Sequence, residues 1–367
     1  MLHGRSGMSN LFSNIYKGKR VLITGHTGFK GSWMSLWLTK LGAEVYGIAL
    51  EPNTEPNHWD LLDLNIHSYI CDIRNLEEIE KLFQSIQPDI IFHLAAQSIV
   101  RVSYEKPVDT YTTNIIGTIN ILEASRHIAN LKAIIIVTSD KCYENKEWIW
   151  GYRENEAMGG QDPYSSSKGC TELVTAAYRH SFFNVKGNHT LIASVRAGNV
   201  IGGGDWAKDR IMTDIVLSAS QNKTLLLRNP NSTRPWQFVL EPLSGYLCLG
   251  VKLLEGDETF AEAWNFGPHL GNNITVEQLV LIASRCWGNI KYEIDKRIHP
   301  YESNYLMLDS TKACKRLSWN PVWDIDISVK NTIEWYKTYY ESDVISSEQI
   351  LDDYISDAQK QGLVWCK

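Results

Sequence analysis

Tyr164 and Lys168 stand four residues apart in QDPYSSSKGC, directly after Pro163. Proline suits the first position of a helix, so this spacing predicts both side chains on one helical face. A phenol is a poor base at neutral pH, and a neighbouring ammonium favours its ionised form. Such a pair can take a proton from an alcohol while hydride leaves the same carbon. Taken alone, the spacing equally describes a solvated helix face. A second group lies in VTSDKCYEN, residues 137–145, where the apolar run AIIIV ends in Ser139, Asp140 and Lys141. An acid beside an amine can donate and accept protons, or it can be an ordinary ion pair where a strand surfaces. A third group is TGHTGFKGSW, which spaces Gly25, Gly28 and Gly31 as GxxGxxG with His26 and Phe29 between them. Glycines there allow a tight turn and bring helix N–H groups against a pyrophosphate.

These residues need elements that aim them. KRVLITG reads as a buried strand running into the glycine turn, and SWMSLWLTKLG as the helix after it, ending at Gly42. AEVYGIAL, HSYICDI, DIIFHLAA, KAIIIVTS and HTLIASVR read as further strands. LEEIEKLFQSI, a long stretch near Tyr104 to Ile128, and the segment after Pro163 read as the intervening helices. Continuous apolar strands alternating with helices predict an α/β fold, a doubly wound parallel sheet of the Rossmann kind. After Val200 the text turns to GGGDW, NPNSTRPW and GPHLGNN, read as loops, with single helices between them. Residues 8–199 are expected to form the dinucleotide domain and 200–367 a smaller substrate region, with segments near 238–267 returning to the first. Asp72, ending the third strand beside Ile73, is expected near an adenine or as a cap for the helix after Asn75.

Composition narrows the function further. The 367 residues carry a formal net charge of -6, with 44% hydrophobic and 21% charged residues. This is an ordinary globular balance with no footprint for nucleic acid and no basic run for a membrane surface. Seven scattered cysteines without a CxxC pair argue for reduced thiols, a cytoplasmic location, no disulfide framework and no metal. The opening MLHGRSGMSN lacks the apolar stretch of a signal peptide, and Met8 is expected to be the initiator. The 13 tryptophans suggest apolar clefts or interfaces.

TGHTGFKG, HLAAQ, VTSDKCYE, YSSSK and RAGNVIGGGDW together resemble the extended short-chain dehydrogenase/reductase family, and within it the nucleotide-sugar 4,6-dehydratases. The resemblance runs over nearly the whole chain after residue 18. It implies oxidation of a hexose at C4, loss of water across C5 and C6, and hydride return to C6. Ser139 would bond the 4-hydroxyl beside Tyr164, and Asp140 would be the acid at C6. Lys141 stands where relatives acting on thymidine-linked sugars carry a glutamate base; it would be the C5 base or a cation beside the enolate. Asn114 would support the lysine. The resemblance places Ala95 at the cofactor, and Gln97, Asn199 and the loop of Asp205, Trp206 and Arg210 at the nucleotide sugar. Arg234 would clamp the diphosphate, with Arg297 and His299 as further candidates. An acid for the adenine ribose is due about 20 residues past the glycines. Glu51 falls there by distance, but an ungapped match puts Ala49 in that place. No Lys or Arg follows to receive a 2′-phosphate, which favours NAD over NADP. No single residue reads out the base, and overall similarity points to a cytidine-linked glucose. A homo-oligomer is implied, a dimer through the two long helices or a tetramer. A 4-epimerase on the same scaffold, or a non-catalytic NAD(H) sensor, would share the glycine loop without needing Asp140 and Lys141.

Overall fold

In the computed structural model, which describes residues 10–367 apart from 186, 269–272, 289, 296 and 298–304, seven parallel strands form one sheet. They are β1 (Arg20–Thr24), β2 (Glu44–Ala49), β3 (His67–Ile70), β4 (Ile90–His93), β5 (Ala133–Val137), β6 (Leu191–Ala197) and β7 (Ala263–Phe266). Their spatial order is β7-β6-β5-β4-β1-β2-β3, with every pairing parallel. The chain therefore winds outward from β1 in one direction and then in the other. A crevice opens where the direction reverses, above the carboxyl ends of β1 and β4.

The helices include α1 (Phe29–Lys40), α2 (Leu76–Ile86), α3 (Val100–Glu105), α4 (Pro107–Tyr111), α5 (Gly117–Ser125), α6 (Pro163–Tyr178), α7 (Leu240–Leu254) and α8 (Ile325–Ser342). Because strand side chains alternate, the AIIIV run feeds both faces. Ile135 joins Val21, Ile23 and Phe92 in the larger core with α1, α7 and α8. Ile134 and Ile136 join Leu22 and Ile91 in the core under α2, α5 and α6. Full burial of each such side chain contributes about 1.5–3 kcal/mol, which makes this strand the rigid base for the residues that follow it.

The stretch near Tyr104 to Ile128 is not one helix. Pro107 has no N–H and restricts its predecessor, so Lys106 leaves the helical region and α3 stops before α4 begins. A π turn, Thr112–Ile116, then separates α4 from α5. The supposed loops also hold short pairings. Val200–Ile201 lies parallel to Gln237–Phe238, and Thr233–Arg234 lies antiparallel to Ile274–Thr275. Tryptophans serve the interior: Trp33, Trp37, Trp236, Trp264, Trp319 and Trp335 are among the largest fully buried side chains.

Candidate active site

The crevice is a cleft of about 570 Å³, and its floor is the glycine turn. Gly25 has φ +78 and presses against Ala95, where an added Cβ would lie 2.8 Å from the Ala95 backbone. A Cβ on Gly31 would lie 2.0 Å from the Gly25 carbonyl oxygen. Both positions need glycine because two backbone segments cross there. Gly28 caps α1 without a side-chain bond. The first N–H groups of a helix have no partner within it, and the first residues of α1 line the cleft, where such groups suit an anion. Ile73, Asp72, Ala95 and Phe29 line the same cleft. Asp72 is held by Arg74, whose Nη2 lies 2.6 Å from Oδ2, and it is Asn75 that caps α2.

The Ser139–Lys141 turn follows β5 directly. Ser139 caps a single 3-10 turn, Asp140–Cys142, by accepting the Lys141 N–H at 3.2 Å. The Ser139 hydroxyl also donates to Asp140 Oδ1 at 2.9 Å. Asp140 is 3% exposed, and among the described residues its Oδ2 has no hydrogen-bond partner. Burial pushes the Asp140 carboxyl up from the ordinary carboxylate range, against the pull of Lys141, the Ser139 bond, Arg234 and Lys30. That is the direction a proton donor requires.

Tyr164 and Lys168 reach the cleft from α6. Asp162 caps this helix by accepting the Ser165 N–H, and Pro163 takes its first position. Tyr164 is 7% and Lys168 5% exposed. Lys168 Nζ donates to the Val137 carbonyl at 3.3 Å, which ties the helix to the end of β5. The phenol is not held low by Lys168 as its spacing suggested. Burial pushes Tyr164 up to about 12, opposed by the Ser139 hydroxyl and Arg210. Burial also lowers Lys168, to about 8.

The opposite wall carries Asn199, Asp205, Trp206, Arg210 and Arg234. Arg210 Nε pairs with Asp205 Oδ2 at 3.2 Å, and buried Arg234 donates to the Thr233 carbonyl at 2.8 Å. At the cleft's mouth, Asp209 joins Arg101 at 3.3 Å to Arg228 at 3.0 Å. One side chain that sequence reasoning missed is Lys30, between the second and third glycines. It lines the cleft, and burial with Arg210 and Lys168 nearby lowers it to about 7. A cation in the first turn of a helix opposes the helix dipole, and that was its signal.

A family model described as GDP-mannose 4,6 dehydratase matches residues 22–332. The chain belongs to this family. A CDP-glucose 4,6-dehydratase of Salmonella typhimurium is 48% identical over 351 residues, covering 94% of this chain and 98% of the relative. Among solved structures, an epimerase of Methanothermobacter thermautotrophicus superposes with a TM-score of 0.78 at 22% identity, covering 92% of this chain and 98% of the other. A dTDP-glucose 4,6-dehydratase from Bacillus anthracis, in complex with NAD, gives 0.72 at 21% identity over 89% and 98%. At such identities the two structures establish the shared Rossmann fold.

Several residues named from the resemblance to this dehydratase family take other places. Asn114 does not meet Lys168; its amide donates to the Gln97 carbonyl at 3.0 Å and to Ser167 Oγ at 2.8 Å. Gln97 does not present its amide to the cleft, because that group bonds Ile99 in its own loop and Thr110 on α4. The His26 ring does not line the cleft and turns instead toward Ser68, 2.7 Å from its Nε2. Trp206 does line the cleft, with its indole N–H bonded to Tyr340 and its ring packed on Trp335 and Tyr336. Arg297 is exposed and engaged by Asp295, and His299 lies outside the described residues.

Proposed function

We propose that this chain dehydrates CDP-D-glucose to CDP-4-keto-6-deoxy-D-glucose, using NAD. The juxtaposition of the Ser139–Lys141 turn with Tyr164 and Lys168, over the glycine cradle, carries this reading. The 48% identity to a dehydratase of that substrate, over nearly the full length of both chains, supports it.

The fit to NAD rests on the glycine turn, because a Cβ at Gly31 would push the turn off α1 and the N–H groups of α1 suit a pyrophosphate. Asp72, Ile73 and Ala95 would flank the adenosine half, with Tyr164 and Lys168 at the reactive end. When bound, NAD supplies a reversible hydride acceptor that takes the C4 hydrogen and returns it to C6. Ser139 and Tyr164 hold the 4-hydroxyl and remove its proton, with Lys168 as the supporting cation. Once C4 is a ketone, the C5 proton is acidic. Lys141 removes it or stabilises the enolate as a cation. Asp140 gives its proton to the C6 hydroxyl, which leaves as water. Arg234 and Arg210 oppose the diphosphate, as guanidinium groups do well. Asn199, Asp205 and Trp206 form the wall beside the sugar nucleotide.

On this reading residues 8–199 hold the cofactor and 200–367 mainly the nucleotide sugar, with segments near 238–267 in the sheet layer. Free cysteines throughout fit a reducing cytoplasm. Among the described residues no helix is long and apolar enough to cross a membrane. Exposed Tyr104, Val108, Ile116 and Leu173 on the helices around α4 and α6 suit a homo-oligomer, a dimer or a tetramer. The product is a precursor of deoxysugars such as those of O-antigen polysaccharide. Incubation with CDP-glucose and mass spectrometry tests the proposal. A keto product lighter by one water supports it, and an epimer of unchanged mass refutes it.

A further inference from the structure

Glu172 and Arg196 form a buried ion pair that does not line the cleft. Their side chains are 5% and 4% exposed, and Arg196 Nη2 lies 2.8 Å from Glu172 Oε2. Burying two charges costs several kcal/mol per ion before their attraction and hydrogen bonds offset it. A pair of this kind is therefore weak evidence for stability, and its value has to be sought in what it holds.

It holds both flanks of the acid–base turn. On the near side, Thr138 Oγ1 donates to Glu172 Oε1 at 2.5 Å, one residue before Ser139. On the far side, Arg196 Nη1 donates to Tyr143 Oη at 2.6 Å, two residues after Lys141. The Arg196 guanidinium also lies 4.9 Å from the Tyr143 ring centre, and Tyr143 Oη donates to Asn265 Oδ1 at 2.8 Å. The remaining bonds close the network: Arg196 Nε to Glu172 Oε1 at 2.9 Å, Ser194 Oγ to Glu172 Oε2 at 2.7 Å, and Arg196 Nη1 to the Glu154 carbonyl at 3.0 Å. Glu172 sits one helical turn beyond Lys168 on α6, while Arg196 and Ser194 belong to β6 and Asn265 to β7.

We propose that the Glu172–Arg196 pair is a positioning device, with Thr138 and Tyr143 as its two arms, that sets Ser139, Asp140 and Lys141 relative to Tyr164 and Lys168. The turn itself is only three residues long and has one internal cap. Its catalytic groups must meet those of α6, a separate element, so something has to lock strand, turn and helix together. The ion pair joins all three with charge-assisted bonds whose directions are fixed by the planar guanidinium. This inference rests on the dehydratase reading of the same site.

The test cuts the arms and leaves the pair intact, since removing Glu172 or Arg196 would strand a buried charge. Thr138→Val leaves Glu172 bonded to Arg196 and Ser194, and Tyr143→Phe leaves the ring in place. Purified variants are melted, titrated with NAD and assayed with CDP-glucose. Each is expected to lower kcat by about tenfold or more, as misplaced catalytic groups do, with KM and NAD affinity close to wild type. Thr138→Ser, which restores the hydroxyl, is expected to restore kcat. Folded variants with wild-type kcat overturn the proposal. So does a kcat loss that Thr138→Ser fails to rescue, or one matched by a rise in KM. If the wild-type protein fails to dehydrate CDP-glucose, the functional reading itself is wrong, which is a separate outcome.

Discussion

Replacing Gly31 by alanine puts a single methyl group where the glycine turn and α1 cross. Its Cβ would lie 2.0 Å from the Gly25 oxygen, 2.7 Å from His26 Cα and 2.8 Å from the Gly25 carbonyl carbon. All three neighbours are backbone, so no side chain can swing aside. Real Cβ contacts essentially never fall below 3.0 Å, so the two segments must part by at least 1.0 Å. Gly25 cannot retreat freely, because it is already wedged against Ala95. Overpacking of this kind costs about 1–3 kcal/mol. Part of that cost falls on the N–H groups of α1, which shift relative to any pyrophosphate they hold. Since about 1.4 kcal/mol is tenfold in affinity, NAD binding is expected to weaken by ~10- to 100-fold. Calorimetric titration of Gly31→Ala with NAD measures this, and a thermal melt confirms that the protein is folded. A folded variant with wild-type NAD affinity would show that the crossing is not where the cofactor sits.

Four further substitutions and one pH profile test the site. Tyr164→Phe is expected to lower kcat by about 10²–10⁴-fold, the usual share of a proton-transfer group, while NAD still binds by calorimetry. Asp140→Asn should keep reversible C4 oxidation, read as NADH absorbance when CDP-glucose is added, yet block release of water. The raised Asp140 pKa also fixes a sign: the acid donates only while protonated, so elimination by the wild-type protein should fade in a pH–kcat profile as pH rises through that value. Lys141→Met should likewise oxidise C4 reversibly without eliminating; near-normal water loss would move the base elsewhere. Arg234→Ala should raise KM for CDP-glucose by about 10- to 100-fold, since hydrogen bonds to charged groups contribute about 1.5–3 kcal/mol each.

What was legible in the sequence was what depends on local spacing. GxxGxxG after an apolar strand predicts a turn whose crossing backbones exclude side chains, and Gly25 and Gly31 meet that condition. The order of apolar runs predicts the parallel sheet, because strands buried on both faces have few other arrangements. Residues set by tertiary contact were not legible. Gln97 and Asn114 satisfy each other across 17 positions, which no local pattern reveals. The upward push on Tyr164 comes first from burial, which is invisible in the sequence, and the groups that oppose it are Ser139 and Arg210. The break at Lys106 is readable from Pro107, which lacks the N–H that a continuous helix needs.

The account's central claim is that one hydrogen moves within the sugar from C4 to C6 while water leaves. CDP-glucose deuterated at C4 tests it directly, with the product analysed by NMR. The account predicts a 4-keto product whose C6 methyl group carries the deuterium. Deuterium remaining at C4, or washed into solvent with none in the methyl group, would contradict it.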